Sequence, residues 1–507
     1  MTEAHHVDVL IVGAGISGIG QAFHVQDKCP GKTYAILEGR ADIGGTWDLF
    51  RYPGIRSDSD MHTLGFNFKP WTAAKSIADG PSIMAYLNET VDEFGIREHI
   101  RFNSLVSSAS WSSDEARWTI TYTDKTTGET HTATANFLSM CAGYYSYKGG
   151  YRPDFPNETA FKGRIIHPQH WPEDLDYAGK KVVVIGSGAT AMTLVPSMAD
   201  KAGHVTMLQR SPTYVVARPD RDAVANTLRK ILPDSLAYSI TRWKNVVMQG
   251  FFYNRTRTKP EKVKTSLLQM AEKELGDADI VAKHFTPEYN PWDQRLCLVP
   301  NGDLFESIKS GKASVVTDHI EHFDETGIQL KSGERIDADI IVTATGLNLV
   351  ILGEVDFAVD GQPVNFADTW SYKGMGYSGV PNLVSTFGYI NASWTLRADL
   401  TAEYVCRLIN QMDETGTRQC TPRLRDSDQS MPARPWIDDF SAGYMQRVMH
   451  LFPKQGDREP WINPQNYQKD KKMFRDGPVD DGAMVFSNPA SQTAANDDSE
   501  PVVTAAE

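Results

Sequence analysis

The feature that most constrains the fold of this chain is a unit that occurs twice: an apolar run that leads directly into a glycine-rich turn and then into a helical segment. The first copy starts with Val7–Val12 (VDVLIV) and continues as GAGISG, and the second starts with Lys181–Ile185 (KVVVI) and continues as GSGATA. Continuous apolar strands are typical of a parallel sheet covered on both faces. A strand, a G-x-G-x-x-G/A turn and a helix form the pyrophosphate-binding part of a Rossmann unit. The sequence therefore predicts an α/β protein with two Rossmann-like dinucleotide-binding domains.

In the first copy, the glycines have separate tasks. Gly13 allows the tight turn, Gly15 lets the backbone approach a pyrophosphate, and Gly18 lets the helix pack closely on the strand. The helix N-terminus, which contains Ser17, offers free N–H groups to phosphate oxygens. The next predicted strand ends at Glu38, twenty residues after Gly18, where a carboxylate accepts hydrogen bonds from a ribose diol. We predict a dinucleotide with an unmodified ribose at this site.

The second copy differs at the ribose position. Its second strand, Val205–Leu208, is followed by Gln209, Arg210 and Ser211, without a carboxylate. An acid selects a free 2′-hydroxyl, whereas an arginine and a serine suit a 2′-phosphate. We predict NADP(H) here, although Arg210 could also be an ordinary exposed arginine. The predicted contacts of this dinucleotide are Gly186, Ser187, Gly188, Ala189, Thr190, Arg210 and Ser211.

Composition excludes several other classes of protein. The net charge of −13 argues against non-specific nucleic-acid binding, which needs a basic face. The five cysteines are scattered and contain no C-x-x-C pair, so neither a disulfide framework, a zinc site nor a dithiol centre is predicted. No signal peptide and no apolar run long enough to span a bilayer are visible, and we expect a cytoplasmic protein without a metal.

The segment between the two copies carries a more specific pattern. Phe161–Pro172 reads FKGRIIHPQHWP, which resembles the signature of type I Baeyer–Villiger monooxygenases, flavoenzymes that insert oxygen beside a ketone. Further stretches place the resemblance in the ethionamide-activating subgroup: DLFRYPGIRSDSD, HPQHWPEDLDY, IGSGATA, LQRSPTY, NPWDQRLCLVPNGDL and ATGLN. The resemblance implies that His167 couples the two domains during catalysis. The alternative is that His167 makes a structural hydrogen bond in an interdomain loop.

The resemblance also identifies the first dinucleotide as FAD. In that family, GGTW and RYPG-x-x-x-D wrap the FAD pyrophosphate and reach the isoalloxazine ring; here they are Gly44–Trp47 and Arg51–Asp58. Asp60, just beyond, is expected to be a solvated loop acid. The implied FAD contacts, beyond the first glycine loop and Glu38, are Thr46, Trp47, Arg56, Ser57, Asp58 and the backbone of Val106.

The chemistry implied by the resemblance centres on Arg295, which in the family lies over the flavin. Reduced flavin and O2 form a C4a-peroxide, which must be an anion to attack a ketone, and a guanidinium stabilises that anion because it effectively cannot lose its proton. Asp58 is implied to hold the guanidinium. Arg295 could instead make only a structural salt bridge. The implied substrates are ketones, with thioethers as alternatives. Gln294 stands where some relatives carry a lysine for the 2′-phosphate, which predicts a less steep preference for NADPH.

Three rival functions remain open at this stage. A flavin-containing monooxygenase that oxidises nitrogen or sulfur would use a neutral hydroperoxide, and the Trp-Pro ending of the signature and Arg295 argue against it. A disulfide reductase shares the two-dinucleotide plan but needs a cysteine pair, which is absent from the sequence. A non-catalytic redox sensor would not consume oxygen with NADPH.

The apolar and turn-forming patterns between the motifs predict strands at 100–106, 130–137 and 137–143, a crossover at Tyr144–Tyr151 and a mainly helical segment at Asp220–Phe285. The order of the motifs predicts the domain organisation; the oligomeric state is not predicted. A helical insertion in the NADP domain is expected to be a solvated cap rather than a membrane-docking surface, and the family uses it to shape the substrate channel. The predicted ranges are 1–145 and 346–486 for the FAD domain, 146–218 and 289–345 for the NADP domain, 219–288 for the insertion, and 487–507 for a disordered tail.

Overall fold

A computed structural model describes residues 5–294, 296–438 and 440–490. The first of its sheets has nine strands, with a parallel part and a mixed extension in which Asp356–Val359 pairs parallel with Ser104–Ser112 and the other pairings are antiparallel. The parallel part contains, in spatial order, Ile100–Arg101, Tyr34–Leu37, His5–Val12 and Thr130–Met140, with Leu383–Ser385 beside the end of the last. The extension adds Arg117–Asp124, Ser104–Ser112, Asp356–Val359 and Gln362–Pro363.

The first strand is buried on both faces, as its continuous apolar sequence predicts. Val9 and Ile11 belong to the core cluster that contains the helix Ile16–Lys28. Leu10 and Val12 belong to the cluster on the opposite face, together with residues of the mixed extension. The sheet is thus covered on both sides around the strand that carries the first glycine loop.

Two predicted strand boundaries in this sheet are wrong. The segment 100–106, predicted as one strand, is broken after Arg101 because Asn103 has a left-handed φ of 55° and turns the chain. Conversely, the segments 130–137 and 137–143, predicted as two strands, form the single strand Thr130–Met140. It pairs antiparallel with one neighbour along its first half and parallel with the first strand along its second half.

The second sheet has five strands and is entirely parallel. In spatial order its strands are Ala313–Thr317, His204–Gln209, Lys181–Ile185, Ile340–Thr343 and Arg164–Ile166. The helices Ala189–Ala199 and Asp303–Lys309 pack on it. Beside it lie a parallel pair and an antiparallel three-stranded sheet: Tyr214–Arg218 and Leu296–Pro300, and Ile320–Asp324, Gly327–Leu330 and Arg335–Asp337.

The chain crosses between the two sheets twice, and the two crossings pair with each other. Tyr145–Gly150 leaves the first sheet and Leu347–Leu349 returns to it, forming an antiparallel two-stranded ribbon. The predicted crossover at Tyr144–Tyr151 is therefore a strand. This ribbon gives the two sheets a short shared element.

The segment Asp220–Phe285, predicted as mainly helical, contains four helices: Ala223–Leu228, Asp234–Thr258, Pro260–Leu275 and Ala278–His284. Six further helices belong to the part of the chain that folds around the first sheet: Thr46–Leu49, Met61–Leu64, Gly80–Glu93, Trp394–Thr415, Gly443–Gln446 and Tyr467–Lys471. Four short strands accompany them: Ser371–Tyr372, Gly376–Tyr377, Gln419–Pro422 and Met484–Ser487.

The C-terminal segment is ordered slightly beyond the predicted start of the tail at Ser487. Ser487 is the last residue of a strand, and the Asn488 side-chain amide donates to the Gly416 carbonyl at 3.0 Å. The rest of the predicted tail, residues 491–507, lies outside the described residues. Across the described ranges, none of the helices combines the length and the apolar character that crossing a membrane would require.

Candidate active site

A single cavity of about 1320 Å³ is lined by residues of both sheets and of the insertion. It exceeds the ~300–1,000 Å³ that is usual for a drug-sized ligand. Twelve of the residues singled out in the sequence line it: Gly13, Gly15, Ser17, Glu38, Thr46, Trp47, Arg56, Ser57, Asp58, Val106, Ala189 and Thr190. Side chains and backbone predicted for two different dinucleotides thus face one volume.

The first glycine loop has the geometry that its sequence implies. Gly13 has φ 103°, and a Cβ there would lie 2.6 Å from the Cys141 carbonyl oxygen. A Cβ on Gly18 would overlap the carbonyl oxygen of Gly13. Gly15 is different, because the nearest atom to a Cβ there is the Gly45 Cα at 3.7 Å. The protein itself therefore tolerates a side chain at Gly15, and the bare backbone there is open to the cavity.

Glu38 is fixed at the end of the second strand. Its Oε2 accepts a hydrogen bond from the Ala14 N–H at 2.6 Å, and its Oε1 accepts one from the Arg40 N–H at 2.8 Å. The side chain is buried against the cavity wall, and burial raises the pKa of Glu38. Each carboxylate oxygen keeps a lone pair for a further donor, such as a ribose hydroxyl.

The GGTW segment folds back onto the first loop. Gly44 and Gly45 both have positive φ, 103° and 54°, which lets the chain turn close to Gly15. The turn is held by the buried Asp48, which accepts hydrogen bonds from the side chains of Arg40 and Arg51. The pyrophosphate-binding loop and this second segment consequently form one continuous edge of the cavity.

The RYPG segment leaves the first sheet and docks on the second domain. Tyr52 interacts with the Thr190 hydroxyl, and a Cβ on Gly54 would overlap the Ser197 side chain. Arg56, predicted as an FAD contact, lines the cavity, but its guanidinium forms an ion pair with Asp303 at the start of a helix on the second sheet. The positive charge of Arg56 is therefore neutralised by an ion pair that links the first domain to the second. Asp58 follows, exposed at the cavity wall.

Arg295 lies outside the described residues. Trp292, three residues before it, and Leu296, the residue after it, line the same cavity as Asp58. Ser57 is buried and donates from Oγ to the Ser59 carbonyl at 2.7 Å, which closes the turn that presents Asp58.

The second glycine loop reaches the cavity through its last residues, Ala189 and Thr190, whereas its glycines are not among the lining residues. A Cβ on Gly186 would overlap the Ala344 carbonyl oxygen, whereas a Cβ on Gly188 would have no atom within 4 Å. Ser187 Oγ donates to the Ser211 carbonyl at 3.2 Å, which brings the loop and the predicted 2′-phosphate position together. Arg210 and Ser211 are exposed.

His167 is not among the residues that line the cavity. Its Nδ1 accepts a hydrogen bond from the Gln169 N–H at 3.2 Å, which leaves Nε2–H to donate to the Gly346 carbonyl at 3.1 Å. The ring packs on Gly150, and burial lowers the pKa of His167. The structural hydrogen bond named as the alternative is therefore present, and it lies between the two crossing strands.

The tyrosines of the first crossing, Tyr145–Gly150 and the residue before it, were not predicted as site residues. Tyr144, Tyr145 and Tyr147 line the cavity, and the hydroxyls of the first two lie 2.7 Å apart. Trp394 stacks on Tyr144 with ring centroids 5.1 Å apart, and its indole N–H donates to Ser17 Oγ at 2.7 Å. The sequence feature that could have indicated them is the cluster of tyrosines directly after Gly143.

Asp60 corrects an expectation, because it is not a solvated acid. It accepts hydrogen bonds from the side chains of Asn245 and Gln249, on the insertion helix, at 2.9 Å and 3.0 Å. Burial acts to raise the pKa of Asp60, but hydrogen bonds from His62 and Asn245 outweigh it and lower the pKa. Asp60 thus ties the insertion to the wall of the cavity, and the insertion helix itself lines that wall.

Comparison with known proteins shows the family of the chain. The family Flavin-binding monooxygenase-like matches residues 76–351, and the NAD(P)-binding Rossmann-like domain matches residues 11–79. The chain is 54% identical to the FAD-containing monooxygenase EthA of Mycolicibacterium smegmatis, over 98% of this chain and 100% of that protein. It is 50% identical to the probable FAD-binding monooxygenase AlmA of Acinetobacter baylyi, over 95% of this chain and 96% of that protein.

Solved structures share the fold at low sequence identity. An oxidised steroid monooxygenase bound to NADP superposes with a TM-score of 0.74 at 22% identity, covering 95% of this chain and 100% of that chain. An open crystal structure of cyclohexanone monooxygenase gives a TM-score of 0.74 at 21% identity, covering 96% and 100%. The predicted α/β fold with two Rossmann-like domains is confirmed.

Proposed function

Because this chain belongs to the flavin-binding monooxygenase-like family and is a flavin-dependent monooxygenase, we propose that it uses NADPH and O2 to convert ketones into esters or lactones. Sulfoxidation of thioethers is the proposed side activity, and the cytoplasm is the proposed location. The observation that carries the proposal is that Gly15 of the first loop and Ala189 and Thr190 of the second line one cavity. A flavin and a nicotinamide held by the two loops would meet there.

The residues present fit FAD at the first loop. The open backbone at Gly15 suits a pyrophosphate, and the fixed carboxylate of Glu38 suits a ribose diol. Val106 also lines the cavity, and its backbone is proposed to meet the adenine. When bound, FAD reduced by NADPH supplies the electrons that activate O2.

The chain's own contribution to the reaction is proposed to be a fixed positive charge. Arg295 would stabilise negative charge that develops on oxygen as it is transferred to the ketone, and it would keep its own proton throughout. Asp58 is proposed to position the guanidinium. Support comes from the neighbours of Arg295 along the chain, because Trp292 and Leu296 line the cavity wall that also contains Asp58.

The substrate class is open to a direct test with purified protein. We expect the denatured protein to release FAD. We also expect ketones to stimulate NADPH oxidation, and the product to be an ester or lactone that contains one oxygen atom from O2. A matched panel of thioethers and tertiary amines measures the alternative chemistry. Products confined to nitrogen and sulfur oxides would support a flavin-containing monooxygenase of the alternative type, and NADPH oxidation without any oxygenated product would contradict both.

Arg210→Ala should weaken the binding of NADPH and leave that of NADH almost unchanged. Loss of a hydrogen bond to a charged group costs ~1.5–3 kcal/mol, which is about one to two orders of magnitude in affinity. The measurement is the KM for each nucleotide in flavin reduction. Lys180→Ala, at another exposed cation of the same domain, is the matched control. An equal loss for NADPH and NADH would mean that Arg210 is structural.

His167→Ala should lower turnover about two- to tenfold while the FAD content stays near one per chain. The variant loses one hydrogen bond of ~0.5–1.5 kcal/mol between the crossing strands and no contact in the cavity. Turnover and the flavin-to-protein absorbance ratio are measured together. His170→Ala, exposed in the same motif, should match the wild type. A loss of FAD in proportion to turnover would contradict coupling between the domains.

A further inference from the structure

The longest helix of the insertion, Asp234–Thr258, has its polar side toward the protein. Thr241 and Arg242 are buried, and Arg242 Nη1 donates to the carbonyls of Gly65 at 2.8 Å and of His62 at 3.0 Å. One turn further along the same face, Asn245 binds Asp60. A helix on the surface of a soluble protein ordinarily turns its apolar face inward. In this helix the inward side combines the buried Ala237 and Tyr238 with polar residues, and most of the large apolar residues face outward.

The opposite face of the helix is an apolar stripe exposed to solvent. Residues spaced by four, three, four and four positions share one side of a helix, and here they are Leu236, Ile240, Trp243, Val247 and Phe251. We call these five residues the outer stripe. Trp243 is 69% exposed and Phe251 is 65% exposed. A contiguous apolar surface of this kind marks a place where a protein contacts a partner or a membrane.

The charge around the outer stripe indicates which partner. Residues 229–264 contain nine Lys or Arg and two Asp or Glu in a chain of net charge −13. Three of the nine cations form ion pairs within the protein: Arg242 with Asp399, Lys244 with Asp222 and Arg257 with Asp293. The remaining cations still outnumber the two acids. Lys230, Arg255, Lys259 and Lys262 are exposed, and the Arg255 guanidinium lies 5.9 Å from the centre of the Phe251 ring. A symmetric contact with a second copy would place these positive charges against each other. An anionic lipid surface accepts both the apolar stripe and the cations.

We propose that the outer stripe docks this protein on an anionic lipid surface, with the helix lying in the plane of the interface. Val247, Met248 and Phe251 are exposed and also line the cavity, so the cavity opens at this stripe. Substrate can therefore enter from the lipid rather than from water. This second step rests on the proposed function and narrows the substrate class to ketones and thioethers that partition into a bilayer.

Co-sedimentation of the FAD-loaded protein with vesicles tests the docking step. The wild type should bind vesicles of equimolar phosphatidylcholine and phosphatidylglycerol and bind phosphatidylcholine vesicles weakly. The double variant Leu236→Glu/Trp243→Glu should reduce the partition coefficient at least ~10-fold, because two large apolar side chains no longer enter the interface. Trp243→Phe should retain binding. The double variant Leu451→Glu/Val485→Glu, at two exposed apolar residues outside the insertion, is the charge-matched control and should also bind.

The outcomes separate docking from catalysis. Vesicle binding needs neither NADPH nor substrate, so the result of the binding assay does not depend on whether the proposed function is correct. Leu236 and Trp243 do not line the cavity, so the double variant should oxidise a water-soluble substrate at the wild-type rate and lose only the advantage of vesicle-borne substrate. The proposal is overturned if the wild type does not bind anionic vesicles, or if the Leu236→Glu/Trp243→Glu variant binds them as well as the wild type does. It is also overturned if Leu451→Glu/Val485→Glu loses binding to the same extent, or if the outer-stripe substitutions only dissociate a dimer and leave vesicle binding unchanged.

Discussion

Arg295→Ala should abolish ester formation while NADPH still reduces the flavin. Hydride transfer brings two bound cofactors together and needs no positive charge at the reacting oxygen, whereas oxygen transfer to a ketone builds up negative charge there. Removal of one preorganised electrostatic donor costs on the order of 10²–10³ in rate, and loss of a full charge should cost at least as much. Anaerobic stopped-flow reduction, followed by product analysis in air, measures the two steps separately.

Two further variants test whether the loss of ester formation is specific to the positive charge of Arg295. Arg218→Ala removes another arginine from the cavity lining, one whose guanidinium lies 5.8 Å from the Phe252 ring centre, and should leave ester formation within a few-fold of the wild type. Asp58→Ala should be a milder form of Arg295→Ala, because it removes the residue that positions the guanidinium. If Arg295→Ala converted ketone to ester at nearly the wild-type rate, the proposed mechanism would be wrong.

The parts of this site that sequence predicts well are those whose geometry is set within a few residues. The turn at Gly13, the close packing at Gly18 and the carboxylate at Glu38 all follow from one strand–turn–helix unit and the strand after it. Arg56 shows the limit. Its ion-pair partner, Asp303, is 247 residues away in the chain, and no local pattern indicates which carboxylate the second domain brings to it.

The insertion was predicted to be helical, but the side of its longest helix that faces the protein was not predicted. Apolar residues at helical spacing normally indicate the buried side, and here they form the outer stripe. The polar side is turned inward because Asp60, Asp399 and the carbonyl oxygens near residues 62–65 need donors, which Arg242 and Asn245 supply. Only the folded first domain presents those acceptors together.

Gly15→Ala should give a folded protein that has lost most of its FAD. The backbone at Gly15 has φ −76°, which alanine adopts without strain, and its Cβ would approach nothing closer than the Gly45 Cα at 3.7 Å. The added methyl group would instead lie where the backbone is expected to meet a pyrophosphate. Overpacking costs ~1–3 kcal/mol, which is about ten- to a hundredfold in FAD affinity. Circular dichroism and the dissociation constant of FAD after reconstitution report the two properties separately.

Two glycines of the same kind of loop make this test specific. Gly18→Ala should fail to fold, since its Cβ would overlap the Gly13 carbonyl oxygen, and so it shows what a structural glycine does. Gly188→Ala has no protein atom within 4 Å of its Cβ and should keep FAD while raising the KM for NADPH. Full FAD binding by Gly15→Ala would mean that the first loop is only a structural turn. A pyrophosphate in contact with the Gly15 backbone would clash with the added methyl group, so unchanged affinity would show that no pyrophosphate lies there. Loss of FAD in Gly15→Ala and of NADPH affinity in Gly188→Ala would assign each loop to its own dinucleotide.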